Sequence, residues 1–277
     1  MEHISPALYS EDTIFHYTKM SVVIEHILYE KRFMFSVGCN TNDPREYRDI
    51  DIEPYSDGEY GINDFLQDWG KADKEFKKVI SNYRFACFYS NELPKQRKDL
   101  EIFDDQPTSF GYERLRMWAQ YGEGFHGVCI GFSNKLLLQQ LREILGGEAT
   151  IHAQLVKYEK SLKKNHELLS NANANGYKNK DKKQWAEKYV ESLVKDLFFV
   201  KHADYRDENE YRIVVHDPDK ALEKGLDVTG CITAVILGDR ANPAYNQILA
   251  SSCTQMKAEC KRLVWEKGRL ELKDVEV

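Results

Sequence analysis

Three short stretches of the chain hold residue types whose spacing could do chemistry. The first is Glu208-Asn-Glu210-Tyr-Arg212, running into the β-type run Ile213-Val-Val-His216. On a strand, residues two apart share a face at roughly 7 Å, so Glu208, Glu210 and Arg212 would project together. Paired carboxylates raise one another's pKa unless a cation relieves them. Aimed into a cleft, such a group stabilises a developing cation or accepts a proton. The same text also fits an edge strand carrying a solvated Glu–Arg ladder. The second stretch is Ile14-Phe-His16-Tyr17-Thr18, directly ahead of a helix that Thr18 or Ser21 could cap. A histidine there reads either as a hydrogen-bonded structural residue or as a ligand contact, because strand ends and helix N-termini are where anionic ligands dock. The third, Gly122-Glu-Gly-Phe-His-Gly127, spells GxGxxG. A dinucleotide fingerprint needs a strand before it and a helix after it. Here a helix expected over 112–121 comes first and the strand-like Gly127-Val-Cys-Ile-Gly-Phe132 comes second, so the glycines predict a tight turn.

Metal and disulfide chemistry find little support. Cys39, Cys87, Cys129, Cys231, Cys253 and Cys260 form no CxxC pair and no zinc spacing. Three of them lie in apolar stretches, which predicts buried, reduced thiols. A metal-dependent nuclease would need converging carboxylates, and Asp43, Glu46 and Glu210 are too scattered in the sequence to argue for one.

The elements that must position these residues can be read from periodicity. Strand-like runs, β-branched or aromatic and bounded by turn formers, cover 13–18, 32–37, 84–89, 127–132, 211–216 and 233–237. An amphipathic helix follows Thr18, with Met20, Val23, Ile24, Ile27 and Leu28 on one face. Asn134 can cap another, with Leu137, Leu138, Leu141, Ile144 and Leu145 at helical spacing up to Gly146-Gly147. Trp185, Tyr189, Leu193, Leu197 and Val200 mark a third, after a loop or helix break over 170–183. Trp118 and Tyr121 lie three apart on one helical face and predict a buried structural helix. Strands, a helical block and further strands do not alternate as a doubly wound sheet does. The pattern predicts α+β, a single domain over 1–277 with a helical insertion at about 134–200.

The chain has 277 residues with 42% hydrophobic and 12% aromatic side chains, enough for a sizeable core. No apolar run nears the roughly 18 residues of a membrane span, and the N-terminus lacks a signal-peptide layout, so a cytoplasmic protein with no membrane partner is expected. The net charge of -6 hides two poles: eleven acids against four bases over 43–75, and eleven bases against six acids over 157–201. The basic segment 157–201 is either a solvated lysine-rich surface or a face for nucleic acid.

Taken together, FHYTKM, FMFSVGCNTNDPREYRD, RFACFYS, RMWAQYGEGFHGVCIGFS, DENEYRIVV and ITAVILGDRA resemble a bacterial family known as domain of unknown function 2971. The His-Tyr-Thr strand end, the helix after it and the late Glu-x-Glu-Tyr strand also look like the ADP-ribosyltransferase superfamily. That resemblance implies a split, mostly antiparallel sheet holding NAD as substrate, with the first and late strands side by side and His16 and Glu210 facing one cleft. It implies His16 as the binder of the adenosine-side ribose, with Tyr17 and Thr18 beside it, and the late glutamate as hydrogen-bonding the nicotinamide ribose. Glu210 would be the catalytic carboxylate that stabilises an oxocarbenium-like ribose, and Glu208 would face the acceptor. The aromatic strand that supports nicotinamide is either Phe35-Ser36 or Phe88-Tyr89-Ser90, making Ser36 and Tyr89 candidates. The activity so implied is transfer of ADP-ribose to a macromolecule, protein or nucleic acid, as in a toxin or phage-defence effector. The rival reading is a catalytically inactive nucleotide- or nucleic-acid-binding module in defence or regulation.

Overall fold

A computed structural model describes residues 8, 10–37, 53–55, 62–91, 110–146, 150–160, 171–173 and 181–277, with only the backbone described at 53–55, 62–69 and 171–173. Cys39, Asp43, Glu46, more than half of the acids of the acidic pole, and 170 and 174–180 of the expected loop lie outside these residues, while 171–173 of that loop form a short strand.

The strands in chain order are β1 (Thr13–Thr18), β2 (Arg32–Phe33), β3 (Ser36–Val37), β4 (Glu53–Tyr55), β5 (Tyr83–Ser90), β6 (Val128–Ser133), β7 (Ile151–Leu155) and β8 (Lys157–Glu159). There follow β9 (Asn171–Asn173), β10 (Val200–His202), β11 (Glu210–His216), β12 (Leu226–Asp227), β13 (Ile232–Leu237), β14 (Glu259–Glu266) and β15 (Arg269–Asp274). The helices are α1 (Met20–Val22, continued as a wider coil over Val23–Tyr29), α2 (Ile62–Ser81), α3 (Leu115–Gln120), α4 (Asn134–Leu145), α5 (Lys182–Phe198) and α6 (Asn246–Met256). All six strand-like runs of the sequence appear, the run 32–37 as the two short strands β2 and β3. The segment 134–200 holds α4 and α5 but also β7, which joins the main sheet beside β11.

The fold is mixed α+β around one open, mostly antiparallel sheet in the order β15-β14-β13-β6-β1-β5-β11-β7. Only β13 and β14 pair in parallel within that order. Its most unusual feature is the seam between β1 and β5. These strands pair only at Ile14–Ser90 and Phe15–Tyr89, and then part. Further along the same edge of β5, Phe85 and Arg84 pair with Ser36 and Val37 of β3. The other edge of β5 is bonded to β11 along its length. The sheet therefore forks, with β5 as the stem and Ala86 to Phe88 facing the gap.

Helices cover both faces. On one, α1, α4 and α6 send Val23, Ile27, Leu137, Leu141 and Leu249 onto Ile14, Ile130, Ile213 and Val235. On the other, two separate cores form. Phe76 and Val79 of α2 and Val190, Val194 and Phe198 of α5 pack on Tyr83, Phe85 and Val214. Met117 and Trp118 of α3 pack on Phe15, Tyr17, Tyr89 and Cys129. Charged groups occupy the space between these two cores.

The helix caps differ from the sequence reading. Neither Thr18 nor Ser21 caps α1; the residue ahead of its first turn is Lys19, and the amide of Met20 donates to Glu123 Oε2 at 3.2 Å. The cap of α4 is Ser133, one residue earlier than expected, its hydroxyl accepting from the Leu136 amide at 3.3 Å. In both cases a tertiary partner, Glu123 for α1 and Asp12 behind Ser133 for α4, chose the cap.

Trp118 is fully buried, and its indole Nε1 donates to the Tyr112 carbonyl at 2.7 Å. Trp118→Ala removes that ring and bond from the middle of the third core, and should lower stability by about 3–5 kcal/mol in urea unfolding. An unchanged unfolding midpoint would contradict this packing role.

Candidate functional site

The fork in the sheet opens a cleft, and most of the residues singled out by sequence lie along it. Backbone alternation from the seam puts Phe15, Tyr17, Tyr89 and Glu210 on one face and Ile14, His16 and Phe88 on the other. The first and late strands are not side by side, because β5 lies between them, about 10 Å from β1 to β11 at ordinary strand spacing. His16 and Glu210 thus start from opposite faces. They line the same cavity because β1 leaves β5 just after Phe15. The cavity measures about 160 Å³ among the described residues. A cavity of that order holds one ring-sized group.

His16 is the first residue past the seam. Its Nδ1 lies 3.0 Å from the Cys87 carbonyl, taking up a β5 group that the ladder leaves unpaired. A carbonyl only accepts, so Nδ1 carries the proton and Nε2 is left as an acceptor. Burial lowers the pKa of the ring against the opposing effect of that hydrogen bond, and keeps it neutral. Phe33 and Phe88 hold it edge-on, at 4.9 and 5.9 Å between centroids. Tyr17 also lines the cleft, but its hydroxyl donates to the Gly111 carbonyl at 2.6 Å and accepts from the Arg114 amide, tying α3 to β1. Ser36 and Tyr89 line the cleft on the Glu210 face, Tyr89 directly opposite Glu210 in register. Thr18 ends β1 opposite Val128 and does not belong to the lining.

The carboxylates are arranged differently from the expected strand ladder. Glu208 closes a tight helical turn, Ala203–Glu208, and Asn209 takes a left-handed conformation (φ 42°) before β11 starts at Glu210. Asn tolerates that conformation, and its side chain donates to Ser90 Oγ at 3.2 Å. The kink breaks the two-residue alternation, yet both carboxylates meet on one ammonium. Lys201 Nζ lies 2.7 Å from Glu208 Oε2 and 3.0 Å from Glu210 Oε2. Arg212 Nε donates to Glu210 Oε1 at 2.5 Å, and its Nη1 to the Phe198 carbonyl at 2.6 Å. All four side chains are nearly fully buried. The reading of a solvated edge ladder is therefore overturned: β11 is an interior strand, and its charges are enclosed.

Burial pushes the Glu210 carboxyl up, but the neighbouring Arg212 and Lys201, with hydrogen bonds from Arg212 and Cys87, outweigh it and hold it at about 2. Burial and the same Glu210 carboxylate drive the Cys87 thiol well above its usual range, which removes it as a thiolate nucleophile. Glu208 has one oxygen, Oε1, with no hydrogen-bond partner among the described residues.

Sequence reasoning missed Lys201. It lay in the basic segment read as a phosphate-facing or solvated surface, and the one signal was its place between the apolar run Leu197-Phe-Phe-Val200 and the acidic pair. Within the same segment, Lys157 is exposed and bonded to Glu159 at 2.6 Å, and 161–170 and 174–180 lie outside the described residues.

The GxGxxG stretch is a turn between α3 and β6, as its context predicted. Gly127 packs so tightly on the Thr18 carbonyl that only hydrogen fits there, and Gly124 takes φ +61°. Among the described residues, no group of three or more His, Cys, Asp or Glu side chains is placed to hold a metal. Cys87, Cys129, Cys231, Cys253 and Cys260 are all free thiols.

A family model described as a protein of unknown function, DUF2971, matches residues 117–213. The matched span runs from α3 into β11 and includes the GxGxxG turn, Lys201, Glu208, Glu210 and Arg212. This part of the chain is similar to that family. No curated protein and no solved structure matches the chain.

Removing one member of the buried network strands the others. Lys201→Met should lower stability by about 3–5 kcal/mol, because Glu208 loses its cation in the interior; Lys157→Met, at an exposed pair, should change little. The network also sets acid behaviour. The folded Glu210 carboxyl sits at about 2, below its ordinary range near 4.5, so its contribution is complete above that range and is lost as pH falls towards 2. Urea unfolding from pH 5 to 2 should show a shallower loss of stability in Glu210→Gln than in the wild type. An equal slope in both would remove Glu210 from the acid transition.

Proposed function

We propose that the cleft at the fork receives the ribose–nicotinamide end of NAD, and that the protein is an NAD-dependent ADP-ribosyltransferase-like enzyme with a macromolecular acceptor. One observation carries this reading: a neutral histidine of β1, an aromatic residue of β5 and the ionised Glu210 carboxylate of β11 line one ring-sized cavity, with Glu208 from the turn ahead of β11 beside them. Of the two candidates for the aromatic support, Tyr89 is favoured. Phe35 is buried in the core on the far face, whereas Tyr89 lies beside Glu210 on the cleft.

In this mechanism the bond between the ribose and nicotinamide breaks with its electron pair leaving on nicotinamide, and positive charge grows on the ribose. Glu210, kept ionised by Arg212 and Lys201, supplies negative charge already fixed in place, which needs no reorganisation as that cation forms. His16 accepts a hydroxyl hydrogen bond through Nε2 at the other end of the cavity. Tyr17 and Thr18 act through the backbone of β1 rather than by contact.

A second reading is favoured by a separate observation. Both oxygens of Glu210 are paired with cations, so the four buried charges sum to zero and offset the field a ribose cation would feel. That balance suits a module that binds the nucleotide without turnover.

Nicotinamide release on incubation with NAD, with and without divalent metal, separates the two. The enzyme reading expects release without metal, and Glu210→Gln should keep NAD affinity while release falls by about 10²–10³-fold. Tight NAD binding with no release supports the binding module. His16→Ala should weaken NAD binding by about 0.5–1.5 kcal/mol in titration calorimetry, the value of one neutral hydrogen bond. Wild-type affinity in that variant would take His16 out of the site.

A further inference from the structure

Away from the cleft, the end of α6 and the start of β14 bring two cysteines together. Leu249 and Cys253 lie four apart on α6 and are both buried against the sheet. Past Cys253 the chain turns back at once: Lys257 takes a left-handed conformation (φ 58°), and the Ala258 amide donates to the Cys253 carbonyl at 2.9 Å. On β14 successive side chains take opposite faces. Leu263 packs into the core that holds Trp118, whereas Arg262 turns to α6, its Nη2 donating to Asn246 Oδ1 at 2.7 Å. Cys260, two residues before Arg262, therefore faces α6, and it packs against the cluster that contains Cys253. The two side chains are hydrogen-bonded, with the Cys253 thiol as donor.

The pair is asymmetric. Cys253 is buried and Cys260 is partly exposed. The hydrogen bond from Cys253, helped by the Arg262 and Lys261 charges, draws the Cys260 thiol below its usual range against the effect of burial. The same bond, with burial, holds the Cys253 thiol well above that range. An accessible thiol that ionises readily beside a protected second thiol has the layout of a reacting and a resolving cysteine. We propose that Cys260 and Cys253 form a reversible oxidative modification site, in which Cys260 takes up a small thiol from its disulfide and Cys253 displaces it, closing a disulfide between α6 and β14. In the first step the Cys260 thiolate attacks one sulfur of a glutathione-type disulfide. That S–S bond breaks, and the leaving thiolate departs with its electron pair and takes a proton from water. In the second, Cys253 gives its proton to solvent and attacks the Cys260 sulfur, and the second small thiolate leaves. Two protein thiols are oxidised and one small disulfide is reduced to two thiols, with no further reagent.

The strands β13 and β6 separate β14 from β1, so the proposal does not rest on the NAD reading. The full chain is equilibrated with oxidised and reduced glutathione, alkylated, digested with trypsin and analysed by mass spectrometry. Lys257 lies between the two cysteines, so trypsin releases them on separate peptides, 241–257 and 258–261, unless a disulfide joins them. The wild type should give the joined peptide under oxidising glutathione and lose it on reduction. Cys253→Ser should stop at a glutathione mixed disulfide on Cys260. Cys260→Ser should leave Cys253 a thiol, with glutathione there about 10-fold or more below the level on Cys260 in the first variant. Serine is close to cysteine in size, which protects the fold in both variants. Absence of the joined peptide from the oxidised wild type, whether Cys260 stays a thiol or keeps its glutathione, overturns the proposal. Equal glutathione on Cys253 in Cys260→Ser and on Cys260 in Cys253→Ser overturns the assignment of attacking and resolving thiol.

Discussion

The bond on which the rest of the site depends is the grip of Lys201 on two carboxylates at once. An ammonium, two carboxylates and a guanidinium share a region from which water is largely excluded. Each charge there would cost several kcal/mol if unpaired. Their arrangement as a chain, Glu208–Lys201–Glu210–Arg212, leaves no member without an opposite neighbour. The chain also joins separate parts of the fold: β10 brings Lys201, a tight turn brings Glu208, and β11 brings Glu210 and Arg212. The Phe198 carbonyl at the end of α5 accepts from Arg212, so the helix is tied to the same network.

The second constraint is the fork. A strand has two edges, and β5 divides one of them between β1 and β3, leaving a gap opposite Ala86 to Phe88. Backbone groups left without a ladder must find other partners. The His16 ring meets one of them, the Cys87 carbonyl, and in doing so places an imidazole in the opening. The division of the core on that face has the same origin. The helices α2 and α5 cover one branch, α3 covers the other, and the space between them is the place where a cleft can persist without exposing either apolar cluster.

These constraints account for what each candidate residue can do. His16 is held in one tautomer, and its neutrality follows from burial. Tyr17, although it lines the cavity, spends its hydroxyl on the loop ahead of α3, which makes it a support. Cys87 is fixed as a thiol by burial and by the neighbouring carboxylate. The glycines at 122, 124 and 127 serve a close turn beneath the end of β1: a side chain at 127 would strike the Thr18 carbonyl, one at 122 would strike Trp118, and 124 takes a positive φ.

The sequence by itself determined the element types wherever the local pattern was strong. The strands around His16, Phe88, Ile130, Ile213 and Val235 and the helices carrying Leu137 and Val190 follow from periodicity, because burial of one face imposes the same spacing whatever the partner. The GxGxxG turn was legible too, since the order of helix and strand around it is a local property. Only the tertiary structure decided the rest. The caps of α1 and α4 depend on Glu123 and Asp12, distant in the chain. The neighbour of β1 is β5 and not β11, and strand order is not encoded in the period of either strand. Above all, the ion pairing of Glu208 and Glu210 turns on Lys201, which local composition placed on a solvated surface. A lysine's environment is set by what folds over it, and alternation along β11 says nothing of an ammonium arriving from β10, which belongs to a separate two-stranded sheet.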